Sequence, residues 1–198
     1  RTSNNLLRWS ILQIPLRIVM TCTVRGYPSL QNYKDEVEKN PDALRPDCCP
    51  ECKQPKLWLH GFYNRLIIRK DASRTIDEEA KILRFQCVQC EATFGALPEF
   101  ICPRRWYLWS MQQIIITELL QGESIASAAR NHDLSRDTVY RWNQWFMKNS
   151  EVYRKLLYSL NLQAGMSLSN NQYWLFRLTS VSLSHDMMLI YDLGITVP

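Results

Sequence analysis

The sequence lacks an uninterrupted apolar stretch long enough to cross a membrane. Its first apolar segment, ILQIPLRIVM at residues 11–20, is broken by Gln13, Pro15 and Arg17, whereas a membrane-spanning helix needs about 20 apolar residues. No small-residue cleavage site follows that would indicate a secretion signal. Together with 46% hydrophobic and 22% charged residues, these absences predict a soluble cytoplasmic protein without a membrane partner.

The sequence also lacks the motifs of common enzymes. It has no Ser/His/Asp set, no phosphate-binding loop and no H-x-E deaminase motif, so we do not expect it to be an enzyme. Its seven cysteines are too few for a disulfide-dense scaffold, and their number is odd. Their arrangement in C-x-x-C pairs indicates instead a metal site in a reducing compartment.

Two C-x-x-C pairs, CPEC and CVQC, contain four of the seven cysteines. A C-x-x-C turn places two thiolates close enough to share one tetrahedral ion, and a structural zinc site takes four such ligands. The predicted ligands of one Zn²⁺ are Cys49, Cys52, Cys87 and Cys90. A redox pair and a disulfide are the alternatives, but a redox C-x-x-C usually occurs once and opens a helix. Cys48 is an alternative ligand with a less suitable spacing.

The residues between the two pairs predict a small sheet. KLWLHGFYNRLIIR (56–69) is rich in aromatic and β-branched residues, and KILRFQC (81–87) alternates with a period of two. Two strands with a cysteine pair at one end of each are typical of a zinc ribbon, which we place at residues 45–103. Cys22 and Cys102 stand apart from the pairs and are expected to be isolated thiols.

ESIASAARNHDLSRDTVYRWNQWF (123–146) predicts two helices joined by a turn. Ser124 can cap a helix over residues 125–131, and Ser135 a second helix from residue 136 to about residue 148. Asp133 lies where the turn needs a left-handed backbone, which Asp tolerates better than most residues. The residues expected between the helices are Ala129, Leu134, Val139 and Trp142, and Phe146 continues the same face.

This spacing is typical of a helix-turn-helix motif, whose second helix enters the major groove of DNA. We place the motif in a domain at residues 104–149. Arg136 and Arg141 can read guanine, while Ser135 and the helix N-terminus can hold a phosphate. The predicted DNA-contacting residues are Ser135, Arg136, Asp137, Thr138, Tyr140, Arg141 and Gln144. An ordinary helical hairpin with a solvated polar face is the alternative.

The net charge of +5 does not by itself indicate a nucleic-acid partner. The excess of basic residues lies in residues 1–105, whereas the predicted helix-turn-helix is neutral, so only local placement is informative. Five basic residues of the ribbon either track phosphates or form a solvated face: Arg65, Arg69, Lys70, Arg104 and Arg105.

The two ends of the chain give less definite predictions. Residues 1–44 are expected to form a leader. Residues 1–19 are either a buried strand or helix, or a non-native segment before a true start at Met20. Residues 150–198 are predicted to be a helical or poorly defined tail, in which SEVYRKLLYSL (150–160) can extend the preceding helical domain.

Three stretches of the chain carry a family resemblance. RPDCCPECKQPKLWLHGFYNR, RFQCVQCEATFGALPEFICPRRWY and ESIASAARNHDLSRDTVYRW resemble the amino-terminal zinc ribbon and helix-turn-helix of bacterial insertion-sequence, transposase-like proteins, a group that includes domains of unknown function. The resemblance covers about residues 20–148. It implies binding to transposon or related DNA, with the four paired cysteines as zinc ligands and residues 135–145 as the recognition helix.

The resemblance does not imply catalysis in this chain. Transposases that cut DNA use a carboxylate cluster to hold two metal ions about 3.5–4 Å apart. After the predicted helix-turn-helix only Glu151, Asp186 and Asp192 are acidic. The remaining residues are also too few for the ribonuclease-H-like fold on which such a cluster normally sits.

The sequence therefore predicts an α+β protein with a small β zinc ribbon followed by a helical helix-turn-helix domain. The predicted function is zinc-dependent, sequence-specific binding of double-stranded DNA, of mobile-element type and associated with the nucleoid. Two alternatives stay open, a stand-alone transcriptional regulator and a zinc-ribbon protein–protein adaptor. Besides DNA, the expected partner is a second copy of the chain or a separate transposition protein.

Overall fold

The computed structural model describes residues 20–27, 29–71, 74–103, 105–160, 167–193 and 195. In this part of the chain the protein combines four strands with six α-helices. The strands are β1 (Met20–Val24), β2 (Leu57–Asp71), β3 (Arg74–Cys87) and β4 (Thr93–Pro98). The helices are α1 (Leu30–Lys39), α2 (Trp109–Leu120), α3 (Ile125–Asn131), α4 (Arg136–Leu160), α5 (Asn170–Ser180) and α6 (Leu183–Asp192). The predicted mixture of a β unit and helices is confirmed at this level.

The four strands form one sheet in the order β1-β4-β3-β2. β2 and β3 are a long antiparallel hairpin whose register shifts between Leu59 and Gly61, which leaves His60 as an extra residue in β2. β4 pairs antiparallel with the end of β3 nearest the second cysteine pair. β1 pairs with β4 in parallel, so β2 forms one edge of the sheet.

Residues 20–27 and 29–44, part of the segment that the sequence assigned to a leader, supply an edge strand, a helix and several buried residues to the core around the sheet. β1 is the edge strand, and α1 is capped by Ser29, whose side chain accepts a hydrogen bond from the Asn32 N–H. Tyr33 of α1 is fully buried, and its hydroxyl donates to the Lys81 carbonyl on β3 over 2.9 Å. Both interpretations of residues 1–19 lie outside the described residues.

The helices pack around two further apolar cores. In the first, α2, α3 and α4 meet through Met111, Ile115, Ala128, Ala129, Val139 and Trp142. In the second, the later part of α4 packs with α2, α5 and α6 around Trp174, Phe146, Tyr153 and Met187. The tail predicted as helical or poorly defined therefore forms two helices within this second core. α4 itself continues to Leu160, beyond the predicted end near residue 148.

The sheet and the helices are joined by direct contacts along residues 102–108. Ile68 of β2 accepts a hydrogen bond from the Leu108 N–H and donates one to the Trp106 carbonyl over 2.7 Å. Arg65 donates to the carbonyls of Cys102 and Arg105 at 2.7 and 2.6 Å. These bonds fix the segment that leads into α2 against the hairpin, so that the helices start from a defined position.

The five basic residues considered for phosphate tracking lie in different surroundings. Arg65 is used for the backbone contacts just described, and Arg69 forms an ion pair with Glu78 over 2.8 Å. Arg105 is half-buried. Arg104 and the side chain of Lys70 lie outside the described residues.

Among the described residues, every helix is too short or too polar to cross a bilayer.

Candidate metal centre and nucleic-acid interface

The two cysteine pairs meet at one end of the sheet. The Sγ atoms of Cys49, Cys52, Cys87 and Cys90 all lie within 4.8 Å of one another. Cys49 and Cys90 are separated by 3.6 Å between sulfurs, and Cys52 and Cys87 by 3.5 Å. Tetrahedral coordination with bonds of about 2.3 Å requires sulfurs about 3.8 Å apart, whereas a disulfide requires about 2.05 Å. The spacing therefore fits four thiolates around one ion.

Each cysteine pair is held by its own backbone turn, and the two turns have the same hydrogen-bond pattern. In the first pair, the Cys49 N–H donates to the Gln54 carbonyl and the Lys53 N–H donates to the Cys49 carbonyl. In the second pair, the Cys87 N–H donates to the Ala92 carbonyl and the Glu91 N–H donates to the Cys87 carbonyl. Lys53 and Glu91 both have left-handed backbones, with φ of 60° and 58°. The chain thus builds two matching knuckles, each of which presents its two thiols toward the other.

The surroundings of the thiols shift the pKa of Cys87 and that of Cys90 in opposite directions. The backbone N–H groups of Cys90 and Gln89, together with the Cys52 thiol, lower the pKa of Cys87 to about 7 against the effect of burial. The Ala92 N–H lowers the pKa of Cys90, but burial and the thiols of Cys52 and Cys49 raise it to about 12. Four thiolates so close together repel one another, and a divalent cation removes that repulsion.

The remaining cysteines are separate from this cluster. Cys48 is exposed beside Cys49. Cys22 points at the Gly95 carbonyl over 3.7 Å, and burial raises its pKa to about 12. Cys102 is buried at the start of the helical part, where burial raises its pKa to about 11. A raised pKa leaves a thiol protonated and weakly reactive at neutral pH, so neither residue resembles a thiolate ligand.

The segment from α3 to α4 has the local structure that the sequence predicts. Ser124 caps α3 by accepting from the Ser127 N–H, and Ser135 accepts from the Thr138 N–H at the start of α4. Asp133 has a left-handed backbone with φ of 54°. Of the residues predicted between the helices, Ala129, Val139 and Trp142 are almost fully buried, as is Phe146, and Leu134 packs against the same core.

The predicted DNA-contacting residues share the first turns of α4. Five side chains face solvent along with Ser135: Arg136, Asp137, Tyr140, Arg141 and Gln144. The Arg141 guanidinium is held locally, because it donates to the Asp137 carbonyl over 3.2 Å and to the Thr138 hydroxyl over 3.3 Å. Tyr140 is 52% exposed. The opposite side of this half-helix is the apolar core, so the polar side is free to meet another molecule.

Thr138 differs from the other residues of this set because it is buried. Its hydroxyl lies 2.8 Å from the Ser135 hydroxyl and accepts a hydrogen bond from Arg141 over 3.3 Å. Nearby, Tyr107 packs edge-on against Trp142 with ring centroids 5.0 Å apart. Sequence analysis placed Thr138 among the DNA-contacting residues and missed that its hydroxyl holds the Arg141 guanidinium. No periodic signal in the sequence marks such a contact.

A second cluster of metal-binding side chains is not found in the described parts of the chain, where the four cysteines are the one such group of three or more. Asp186 is fully buried and receives three hydrogen bonds from Arg177, the shortest at 2.7 Å. Glu151 pairs with Lys155 on the surface of α4. The side chain of Asp192 is outside the described residues.

Comparison with known proteins identifies one domain. No curated protein and no solved structure matches the chain. Residues 49–142 match the model of a family described as a domain of unknown function, DUF6431. The match begins at the first cysteine of the cluster and ends at Trp142, within the exposed first half of α4. The matched region includes both the four-cysteine cluster and most of the polar surface of α4.

Proposed function

We propose that the protein is a zinc-dependent, sequence-specific DNA-binding protein of mobile-element, transposase-like type. One observation carries the proposal: the first turns of α4 bury one side in a three-helix core and expose arginine, tyrosine and amide side chains on the other. Residues 123–146 then form a helix-turn-helix in which α4 is the recognition helix. The sheet with its two knuckles is a zinc ribbon extended by β1 and α1.

Zinc is the ion that best suits the four cysteines. Thiolates are soft ligands that select zinc, copper(I) or iron–sulfur centres, and four of them in a closed tetrahedral set are typical of structural zinc. Zn²⁺ would be held by Cys49, Cys52, Cys87 and Cys90. Its contribution would be to tie the two knuckles together, because the free energy of metal binding at such a site stabilises the folded state. The chain's own residues supply the rest of the site through the N–H groups that point at the sulfurs.

The exposed side of α4 offers two kinds of contact to a DNA duplex. The N-terminus of the helix, with Ser135 as its cap, carries the positive end of the helix dipole and suits a phosphate. Arg136 and Arg141 can donate two hydrogen bonds to the guanine edge in the major groove. Thr138 is too buried for such contact, and we assign it to holding the Arg141 guanidinium in place.

The two described acidic side chains after residue 150 are engaged in ion pairs. Asp186 is enclosed by Arg177, and Glu151 pairs with Lys155. Strand cleavage by a protein of this type would require a carboxylate cluster, which we infer a separate protein supplies.

Selection from a random duplex library, with zinc-loaded protein near physiological salt, tests the proposal. We expect an enriched sequence motif. Arg136→Ala and Arg141→Ala should each weaken binding to it by about 1–3 kcal/mol, because each removes a base contact. The matched control is the pair Lys148→Ala and Lys155→Ala, which removes the same charge from later turns of the same helix and should leave the motif intact.

Three other outcomes would change the assignment. Equal losses in the arginine and lysine variants would mean that α4 contributes only general charge. An inverted repeat with half-sites one helical turn apart, bound by a dimer, would favour the stand-alone regulator. No enrichment by folded protein with zinc bound would contradict DNA binding and favour the adaptor.

A further inference from the structure

The outer edge of the sheet at β2 is open over a short, defined window. At one end, Arg45 donates a hydrogen bond to the Leu57 carbonyl. At the other end, Ile68 is paired on both its N–H and its carbonyl with the segment that leads into α2. Between these two points, the described residues include no backbone partner on this side of β2. An open strand edge is a template for pairing with another strand.

The register of the hairpin identifies the residues whose backbone N–H and carbonyl groups point away from β3, toward the open edge. In an antiparallel strand, residues whose N–H and carbonyl face one neighbour alternate with residues that face the other. The N–H and carbonyl of Ile68 point to the open edge. The same backbone groups of Leu66, Asn64 and Phe62 therefore point there as well. The extra residue His60 shifts the alternation, and Leu59 and Leu57 then face outward, which agrees with the bond from Arg45. The regular part of the open edge is therefore Phe62, Asn64 and Leu66.

Several side chains along this window are both apolar and exposed. Phe62 is 56% exposed, Leu59 40% and Leu66 38%. Trp106 is 63% exposed and follows directly on the same edge, because its carbonyl accepts the Ile68 N–H. Asn64 is the single polar residue among the outward-facing ones and contacts Glu79 over 3.4 Å. Contiguous exposed apolar residues of this kind mark interaction sites.

We propose that this edge is a homodimer interface, in which β2 of one copy pairs antiparallel with β2 of a second copy across a two-fold axis at Asn64. In that register Phe62 lies opposite Leu66 of the second copy, and Asn64 lies opposite its own equivalent. All three positions present outward N–H and carbonyl groups, so the pairing forms about six backbone hydrogen bonds. A two-fold axis at Phe62 would instead bring Asn64 opposite the irregular His60.

A second copy suits the edge better than an unrelated strand because the window is self-complementary. Each exposed apolar residue meets another apolar residue: Phe62 meets Leu66, and Leu59 approaches Trp106 of the partner. The closed ends at Leu57 and Ile68 also stop the pairing from extending, and each copy uses its edge once, so the result is a closed dimer and not a fibre.

The size of the window is consistent with a modest interface. An aromatic side chain such as Phe62 or Trp106 offers about 150–250 Å² and a leucine less, so the four half-exposed side chains bury roughly 300–400 Å² per partner. The paired backbone and flanking residues add to this value. The total approaches the low end of standard interfaces, about 600 Å² per partner, so we expect a dimer that dissociates on dilution.

Asn64→Pro is the decisive variant. If the Asn64 N–H faces outward, proline removes no hydrogen bond of the β2–β3 ladder and is tolerated on an edge strand, yet it blocks pairing with a second copy. Sedimentation of the zinc-loaded full chain between about 1 and 100 µM should show a monomer–dimer equilibrium whose dissociation constant rises at least tenfold in Asn64→Pro. Unchanged zinc content and thermal midpoint verify that the variant is folded.

A crosslinking measurement keeps the test independent of the proline. In a Cys48→Ser background, Asn64→Cys places one exposed thiol on the two-fold axis, and a short bismaleimide should join two chains. Val152→Cys, at a position that is also exposed but lies on α4, is the matched control and should not crosslink. The proposal would be overturned by any of three results: a wild type that is monomeric at 100 µM, dimerisation that Asn64→Pro leaves unaffected, or equal crosslinking at positions 64 and 152. None of these measurements requires DNA, so the inference can fail while the proposed function stands.

Discussion

Replacing Cys87 by serine tests how the four-cysteine cluster holds its ion. Cys87 is buried, and its backbone and thiol neighbours lower the pKa of its thiol to about 7. Serine is close to cysteine in size, and its hydroxyl can still accept hydrogen bonds from the N–H groups of Gln89 and Cys90. It removes only the thiolate, so the folded knuckle is retained and the loss is that of one ligand.

The magnitude follows from the geometry of the site. The sulfur–sulfur distances of 3.5 and 3.6 Å are close to the tetrahedral value, so little free energy is lost in rearrangement when zinc binds. Structural zinc sites contribute about 10–16 kcal/mol at pH 7, and one ligand in four accounts for roughly 3 kcal/mol of this. We expect zinc affinity to fall about 100- to 1,000-fold in Cys87→Ser.

The assay is competition with a chromophoric chelator at pH 7, with zinc content measured by elemental analysis. Wild type should bind one zinc per chain. Cys48→Ser is the matched control, because Cys48 is exposed, adjacent to the first knuckle and outside the cluster, and it should leave the affinity unchanged. Full affinity in Cys87→Ser, or an equal loss in Cys48→Ser, would refute the assignment of the four ligands.

Two further predictions concern ion pairs that hold the fold. Asp186→Asn should lower the free energy of unfolding by about 3–5 kcal/mol in urea titrations, because it leaves Arg177 next to a buried neutral amide; a change below 1 kcal/mol would contradict this. Glu78→Gln should cost about 1 kcal/mol at pH 7, because Glu78 bonds both Lys34 and Arg69. Those bonds lower the pKa of Glu78, so its contribution is complete above the unfolded pKa of about 4.3 and is lost as the pH falls through the folded value. A difference between wild type and Glu78→Gln that persists below that value would rule out the carboxylate as its source.

Features encoded by short-range spacing were predictable from the sequence. The two C-x-x-C pairs fix their thiols locally, so the meeting of four cysteines required only the prediction of a hairpin between them. The segment from Ser124 to Trp142 was equally accessible, because its serine caps and its aspartate in the turn act within a few residues. Both α3 and the start of α4 lie where the spacing placed them.

Features that depend on distant residues were not predictable. β1 pairs in parallel with β4, which lies some 70 residues later, and no local signal identifies a partner at that distance. The sequence also gave Arg65 no role beyond its charge, whereas the structure uses its guanidinium to bind two carbonyls of the segment between sheet and helices. The extension of α4 was ambiguous because Ser150 interrupts its apolar face. In the structure Ser150 is buried and bonds Asn170 over 2.8 Å.

The length of α4 has a consequence for how the molecule can be divided. The helix runs for 25 residues and supplies Val139 and Trp142 to one core and Phe146, Tyr153 and Leu157 to the other. Neither core can come apart without breaking this helix, so the two should unfold as one cooperative unit. A fragment that stopped at Trp142, where the family match ends, would keep only seven residues of α4, too few to hold a helix in water. The smallest piece able to present the polar surface of α4 therefore extends through the C-terminal helices.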